Sequence, residues 1–180
     1  PCTDDWAHDL KGMENAVDAD TKLVYICNPN NPTGSLTDSK KLYDFCSKVS
    51  EKVPVFVDEA YLEFLPDAEK HSMVKLVQKG KNVIVARTFS KIHGMAGLRM
   101  GYGVALPETL ERIQKMVRTT MGLNVTTLRG AMASLKDEKF QENSRVWTAE
   151  AREFTMDKLK SLGYDPIPSY TSFVLFPLLE

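Results

Sequence analysis

Three apolar, strand-like runs in this chain each end at a polar residue, and helical patterns separate them. Leu23 to Cys27 runs into Asn28-Pro29-Asn30-Asn31-Pro32-Thr33-Gly34. Val53 to Val57 runs into Asp58-Glu59-Ala60-Tyr61, and Val83 to Phe89 runs into Ser90-Lys91, with Arg99 following eight residues later. Strands that alternate with helices build βαβ units, whose crossovers make neighbouring strands parallel. In an open sheet of that kind the ligand crevice lies outside the carboxyl ends of the strands. The polar residues that close the three runs are therefore expected to share one site. The expected fold class is α/β: a mainly parallel sheet with flanking helices, followed by the start of a smaller α/β domain.

The segments between the runs carry helix signals. Ser35-Leu36-Thr37-Asp38 can cap a helix whose apolar stripe is Leu42, Phe45, Cys46 and Val49. Ser72 to Gly80 reads as one short helix with Met73, Leu76 and Val77 inward and Gly80 as its stop. Met100 to Ala105 reads as a fourth strand, and Pro107 suits the first turn of a helix carrying Leu110, Ile113, Met116 and Val117. A further helix covers Val125 to Leu135. A long one follows Lys136-Asp137, with Phe140, Trp147, Ala151, Phe154 and Leu162 near one face and Gly163 as its stop. Phe173 to Pro177 reads as a last strand. The long helix divides the chain into residues 1–136, part of a large α/β domain, and 137–180, a bridging helix with the start of a small one. The chain opens at Pro1-Cys2-Thr3 without an initiator methionine and stops on a strand-like run, so it is expected to be an excerpt of a longer protein.

Bulk properties exclude several classes of function. At 180 residues with 43% hydrophobic and 26% charged content, the chain is an ordinary globular sequence. A net charge of −1 gives no electrostatic case for nucleic acid or an anionic membrane. No apolar run approaches the roughly 18 residues of a membrane span, and no signal segment opens the chain. Cys2, Cys27 and Cys46 are odd in number and lack a Cys-x-x-Cys spacing, which argues for a reducing, cytoplasmic location and against a disulfide framework. His8, His71 and His93 show no ligand spacing, so no metal site is expected. Gly101-x-Gly103 lacks the third glycine and the following helix of a dinucleotide loop. Asn124-Val125-Thr126 matches a glycosylation acceptor, which carries no meaning in a cytosolic protein.

The strand-end residues have a bland and a functional reading each. Asn28 to Gly34 is a Pro/Asn/Gly turn on either; its place after a buried strand lets Asn31 aim an amide at the phenolate-like oxygen of a pyridine ring. Asp58 either caps the following helix or pairs with a protonated pyridine nitrogen, since an acid closing a valine-rich run is costly to bury unpaired. Tyr61 either packs or offers its hydroxyl to the same ring oxygen. Lys91 by default is a surface lysine. Its flanks argue otherwise: the hydroxyls of Thr88 and Ser90, the Gly-rich turn His93 to Gly97 and the Arg99 guanidinium compose a pocket for a phosphate dianion. A lysine beside a bound phosphate and a cofactor aldehyde is placed to form a Schiff base. His93 is read as a packing or solvent residue.

Taken in order, Asn28-Pro-Asn-Asn-Pro-Thr-Gly34, Val57-Asp-Glu-Ala-Tyr61 and Arg87-Thr-Phe-Ser-Lys-Ile-His-Gly-Met-Ala-Gly-Leu-Arg-Met-Gly-Tyr102 resemble the fold-type-I pyridoxal-phosphate aminotransferases. Within them the Ala-Gly-Leu-Arg-x-Gly-Tyr ending is most similar to the histidinol-phosphate aminotransferase branch. The resemblance runs from about Asp9 to about Phe176. It implies that Lys91 carries the cofactor and serves as acid and base. It further implies that Asp58 pairs with the pyridine nitrogen, that Asn31 and Tyr61 hold the ring oxygen, and that Thr88, Ser90 and Arg99 hold the phosphate. It implies pyridoxal 5'-phosphate as cofactor, a small-molecule amino donor with 2-oxoglutarate as partner substrate, and a homodimer. An aromatic aminotransferase and a phospho-amino-acid decarboxylase share these residues, and a noncatalytic fragment or binding module is the alternative of another class. The family's N-terminal phosphate loop, ring-stacking aromatic and substrate-carboxylate arginine match no position here. The 180 residues alone are therefore expected to turn over little.

Overall fold

A computed structural model describes residues 1–117 and 122–178. A four-stranded sheet is its centre, with β1 Val24–Cys27, β2 Val55–Asp58, β3 Val83–Thr88 and β4 Gly101–Val104 in the spatial order β1-β2-β3-β4. The first three strands are parallel, and β4 returns antiparallel beside β3. The register aligns Val24 with Val55 and Val83, Tyr25 with Phe56 and Ile84, and Cys27 with Asp58 and Ala86. Because side chains alternate along a strand, this register sorts the sheet into two faces.

One face is the core. Val24, Ile26, Val55, Val57, Val83 and Val85 are buried there. They pack with Leu42, Phe45, Cys46 and Val49 of α2 (Ser39–Val49), Leu76 and Val77 of α4 (Val74–Gln78) and, at the margin, Leu10 and Met13 of α1 (Leu10–Ala16). Each fully buried aliphatic side chain of this kind contributes about 1.5–3 kcal/mol of transfer free energy. The α2 stripe is the one its spacing predicts, and Asp38 caps it by accepting from the Lys41 amide. Helix α1 was not expected; its signal was an Asp9 cap, which accepts from Gly12 N, ahead of Leu10 and Met13 at helical spacing.

The one short helix expected within Ser72 to Gly80 forms as α4, with Met73, Leu76 and Val77 buried, and a separate short helix, α3 Ala68–His71, precedes it with Ser72 extended between them. The cause is Glu59. Its buried carboxylate accepts from the Met73 amide at 2.6 Å and from the Ser72 hydroxyl at 2.9 Å, which holds this stretch out of the helix and anchors the start of α4. Gly80 stops α4 as expected, with φ +75° and its N–H on the Val77 carbonyl.

The remaining helices are α5 Pro107–Met116, α6 Val125–Lys136 and α7 Glu138–Ser161. Their apolar stripes exist but face solvent here: Met116 is 87% exposed, Trp147 63%, Phe154 65% and Leu162 68%. No residue of α5 or α7 is buried. The second face of the sheet is also open, with Tyr25 exposed and Phe56 and Ile84 half-buried. The expected last strand at Phe173 to Pro177 does not form among the described residues. Leu175 accepts one backbone bond, from Ile167 N, and no named strand pairs with it. No described helix is long and apolar enough to cross a membrane.

Candidate functional site

The carboxyl ends of β1, β2 and β3 lie side by side, so the sheet sets the spacing of the residues that follow them. The turn after β1 begins with buried Asn28, whose side-chain oxygen accepts from Thr37 N and whose N–H reaches the Asp58 carbonyl. Gly34 closes it with φ +76° and its N–H on Asn30 O. Between these anchors Asn31 is exposed, and its amide donates to the Tyr61 hydroxyl at 3.1 Å. Tyr61 itself is 5% exposed and belongs to a small cluster with Phe64, Ile92 and Phe173. The Lys91 ammonium stands over the Tyr61 ring, 4.9 Å from its centroid. A cation over an aromatic face gains about 0.5–1 kcal/mol at an exposed site. Asn31, Tyr61 and Lys91 are thus joined by direct contacts, although they come from three separate strand ends.

Asp58 shares the sheet face of Phe56 and Tyr25. One carboxylate oxygen accepts from Ala60 N at 3.0 Å, and the other from the Tyr25 hydroxyl at 3.0 Å. The Tyr25 ring stacks on Phe56 with centroids 5.7 Å apart. Burial, then the Asp58 charge, holds the Tyr25 phenol well above its usual range, so it stays a donor. Each oxygen has one donor and retains a second lone pair for a cationic partner. Sequence reasoning missed Tyr25, whose position within an apolar strand run reads only as β-propensity.

Beyond β3, the Thr88 hydroxyl accepts from Ser90 N at 3.0 Å, which curls the chain into Lys91. Arg99 adopts a left-handed backbone, φ +53° and ψ +56°, after the short turn Ala96–Leu98. That conformation costs a non-glycine residue about 1–2 kcal/mol. Its guanidinium turns back to the Ala96 carbonyl at 2.9 Å, and among the described residues no hydrogen bond or ion pair joins it to Ser90 or Lys91. Of the three residues expected to hold a phosphate, Thr88 and Ser90 are linked through the Ser90 N–H, and Arg99 follows on the same loop after the turn Ala96–Leu98. His93 is buried against Phe89, with Nδ1 2.8 Å from the Ser134 hydroxyl, in the packing role read for it.

A buried ion pair underlies these loops. Arg87, one residue before Thr88, donates from Nε to Glu59 at 3.0 Å and from a terminal nitrogen to the Ser72 hydroxyl at 2.9 Å. The two side chains are 9% and 1% exposed. Glu59 is adjacent to Asp58, so the pair ties the end of β2 to the end of β3. Its signal in the sequence was a charge, Arg87, inside an otherwise apolar strand, which burial obliges to find a partner.

A phosphorylated pyridine cofactor needs one acid, two neutral donors for a ring oxygen, an amine and a phosphate cradle. Asp58, Asn31 with Tyr61, Lys91, and Thr88 with Ser90 and Arg99 match those needs in type, and Asn31, Tyr61 and Lys91 are in direct contact. Among the described residues no cluster of His, Cys, Asp and Glu has the makings of a metal site.

The family model for aminotransferase class I and II matches residues 1–180. The chain belongs to that family. Among curated aminotransferases it is 38% identical over 173 residues to the histidinol-phosphate aminotransferase of Moorella thermoacetica, covering 96% of this chain and 45% of that one. Among solved structures it superposes on the histidinol-phosphate aminotransferase from Sinorhizobium meliloti in complex with pyridoxal-5'-phosphate. That match has a TM-score of 0.88 and 33% identity, over 97% of this chain and 47% of that one. The aromatic aminotransferase from Pyrococcus horikoshii gives a TM-score of 0.78 and 27% identity, over 91% and 46%. This aminotransferase chain thus spans about half the length of the relatives it matches.

Proposed function

We propose that the protein is a pyridoxal-phosphate-dependent aminotransferase that takes the amino group of histidinol phosphate and delivers it to 2-oxoglutarate, acting as a homodimer in the cytoplasm. The observation that carries this reading is the contact chain from Asn31 through Tyr61 to Lys91 at adjoining strand ends, with Asp58 closing the middle strand. The identity to the Moorella and Sinorhizobium histidinol-phosphate aminotransferases, 38% and 33% against 27% for the aromatic enzyme, supports the substrate. An aromatic amino donor is the second reading, favoured by the same superposition at lower identity.

Bound pyridoxal phosphate supplies an aldehyde that condenses with amines and a ring that draws electron density from the substrate α-carbon. The chain's own residues do the rest. Asp58, its carboxylate held by Tyr25 and Ala60, would hold a proton on the ring nitrogen. Asn31 Nδ2 and the Tyr61 hydroxyl would donate to the ring oxygen. The hydroxyls of Thr88 and Ser90 would orient the phosphate by donating to it, and the guanidinium of Arg99 would offset its charge. Lys91 Nζ would hold the cofactor and would be the amine that takes the substrate α-proton and returns it.

The direct test uses the intact protein with pyridoxal phosphate and a panel of amino donors, histidinol phosphate first. Transfer to 2-oxoglutarate from histidinol phosphate, and poorer transfer from aromatic amino acids, is the expected outcome; the reverse order replaces this substrate with the second reading. Asp58→Ala is expected to lower turnover on the order of 10²-fold or more, since a preorganised charge aimed at the reacting system is lost. Undiminished turnover in that variant removes the role given to Asp58.

A further inference from the structure

The segment between α7 and the end of the described chain makes unusually close contacts with the strand-end turn that holds Asn31. Ser169 lies so near Gly34 that a Cβ built on the glycine would sit 2.5 Å from Ser169 Oγ and 3.2 Å from its Cα. Tyr170 N donates to the Gly34 carbonyl at 2.8 Å, so the two backbones are stitched together. The same segment reaches the other side of the pair. The Phe173 ring meets the Tyr61 ring edge-on, with centroids 5.2 Å apart and planes at 86°.

Its own hydrogen bonds make it stiff. Ser169 Oγ donates to the Phe173 carbonyl at 2.6 Å and lies 2.9 Å from Thr171 Oγ1. Thr171 is fully buried, and Arg152 of α7 donates to its carbonyl at 2.8 Å. A hydroxyl buried with its partners satisfied resists displacement, because moving it exposes or orphans a polar group. The Asn31 amide donates to the Tyr61 hydroxyl at 3.1 Å, and this segment braces both the turn that holds Asn31 and the ring of Tyr61.

We infer that Pro166 to Phe173 is a strap that positions the Asn31–Tyr61 pair, with Ser169 and Phe173 as positioning residues for the ring-oxygen donors; this deepens the cofactor reading above and rests on it. The strap does not touch the reacting atoms. It acts by fixing how well two donors meet one oxygen, and so how much negative charge that oxygen keeps beside Lys91 Nζ. Weaker donors leave more charge there, and the neighbouring nitrogen then holds its proton to higher pH.

The test is a pH titration of the visible absorbance band of the intact, pyridoxal-phosphate-loaded protein, together with the dissociation constant for the cofactor. Phe173→Leu is expected to weaken cofactor binding about fivefold and to move the titration midpoint upward by about half a unit, while Phe173→Tyr, which keeps the edge contact, restores both. Ser169→Ala removes one hydroxyl with little change in packing and is expected to move the midpoint the same way by less; it decides the matter if Phe173→Leu does not fold. Folded variants with the wild-type midpoint and affinity overturn the strap and leave the cofactor reading standing. A wild-type protein that forms no visible band overturns the cofactor reading itself, and the strap with it.

Discussion

Lys91→Ala in the intact protein is expected to abolish the visible absorbance band formed with pyridoxal phosphate and to lower amino transfer by at least the 10²–10⁴-fold that a positioned acid–base group supplies. The loss exceeds that range because one side chain performs two tasks, anchoring the cofactor and moving the α-proton. The geometry behind the expectation is specific. Lys91 follows β3, its approach is curled by the Ser90 N–H on the Thr88 hydroxyl, and its ammonium is steadied over the Tyr61 ring. Structure elsewhere does not depend on it, since Lys91 is exposed and makes no ion pair among the described residues. A folded Lys91→Ala protein that keeps the band, or turns over within tenfold of wild type, disposes of the anchor assignment. Added small amines that partly rescue turnover separate the proton-moving task from the covalent one.

How the chain reads before folding depends on which kind of information a feature needs. The α2 stripe and the three parallel strands were legible because periodicity alone specifies them: Leu42, Phe45, Cys46 and Val49 fall on one helical face, and the strands alternate against it. Asn31, Tyr61 and Lys91 were legible as one group because a parallel sheet brings its carboxyl ends together regardless of side-chain detail. The break at Ser72 was not, since it depends on Glu59, 13 residues earlier, taking the Ser72 hydroxyl and the Met73 amide. The strap was hidden for the same reason. Nothing near Ser169 in sequence indicates that it meets Gly34, and Gly34 reads simply as a turn glycine. Trp147, Phe154 and Leu162 show a third limit: a stripe marks an apolar face but carries no information about what covers it.

Arg87→Met is expected to lower folding stability by about 3–5 kcal/mol, because it leaves the Glu59 charge buried without its partner. Set against a typical total of about 5–15 kcal/mol, that loss is large enough to register in urea or thermal unfolding without further amplification. The double variant Glu59→Met with Arg87→Met removes both charges and is expected to recover most of the loss, since an apolar pair of similar volume often replaces a buried ion pair at little cost. The sign of the pH dependence follows from Glu59. Burial pushes its carboxyl above the usual range, against the opposing Met73 N–H and Arg87 charge. The folded state therefore keeps a proton that the unfolded chain releases near pH 4.3, and stability falls as pH rises through that window. Removing Arg87 extends the window upward, so the Arg87→Met deficit is expected to be smallest in mild acid and largest at neutral pH. A deficit that is flat across that range, or below about 1 kcal/mol, means that Glu59 is relieved by water or by rotation; the ends of β2 and β3 are then held by the sheet alone.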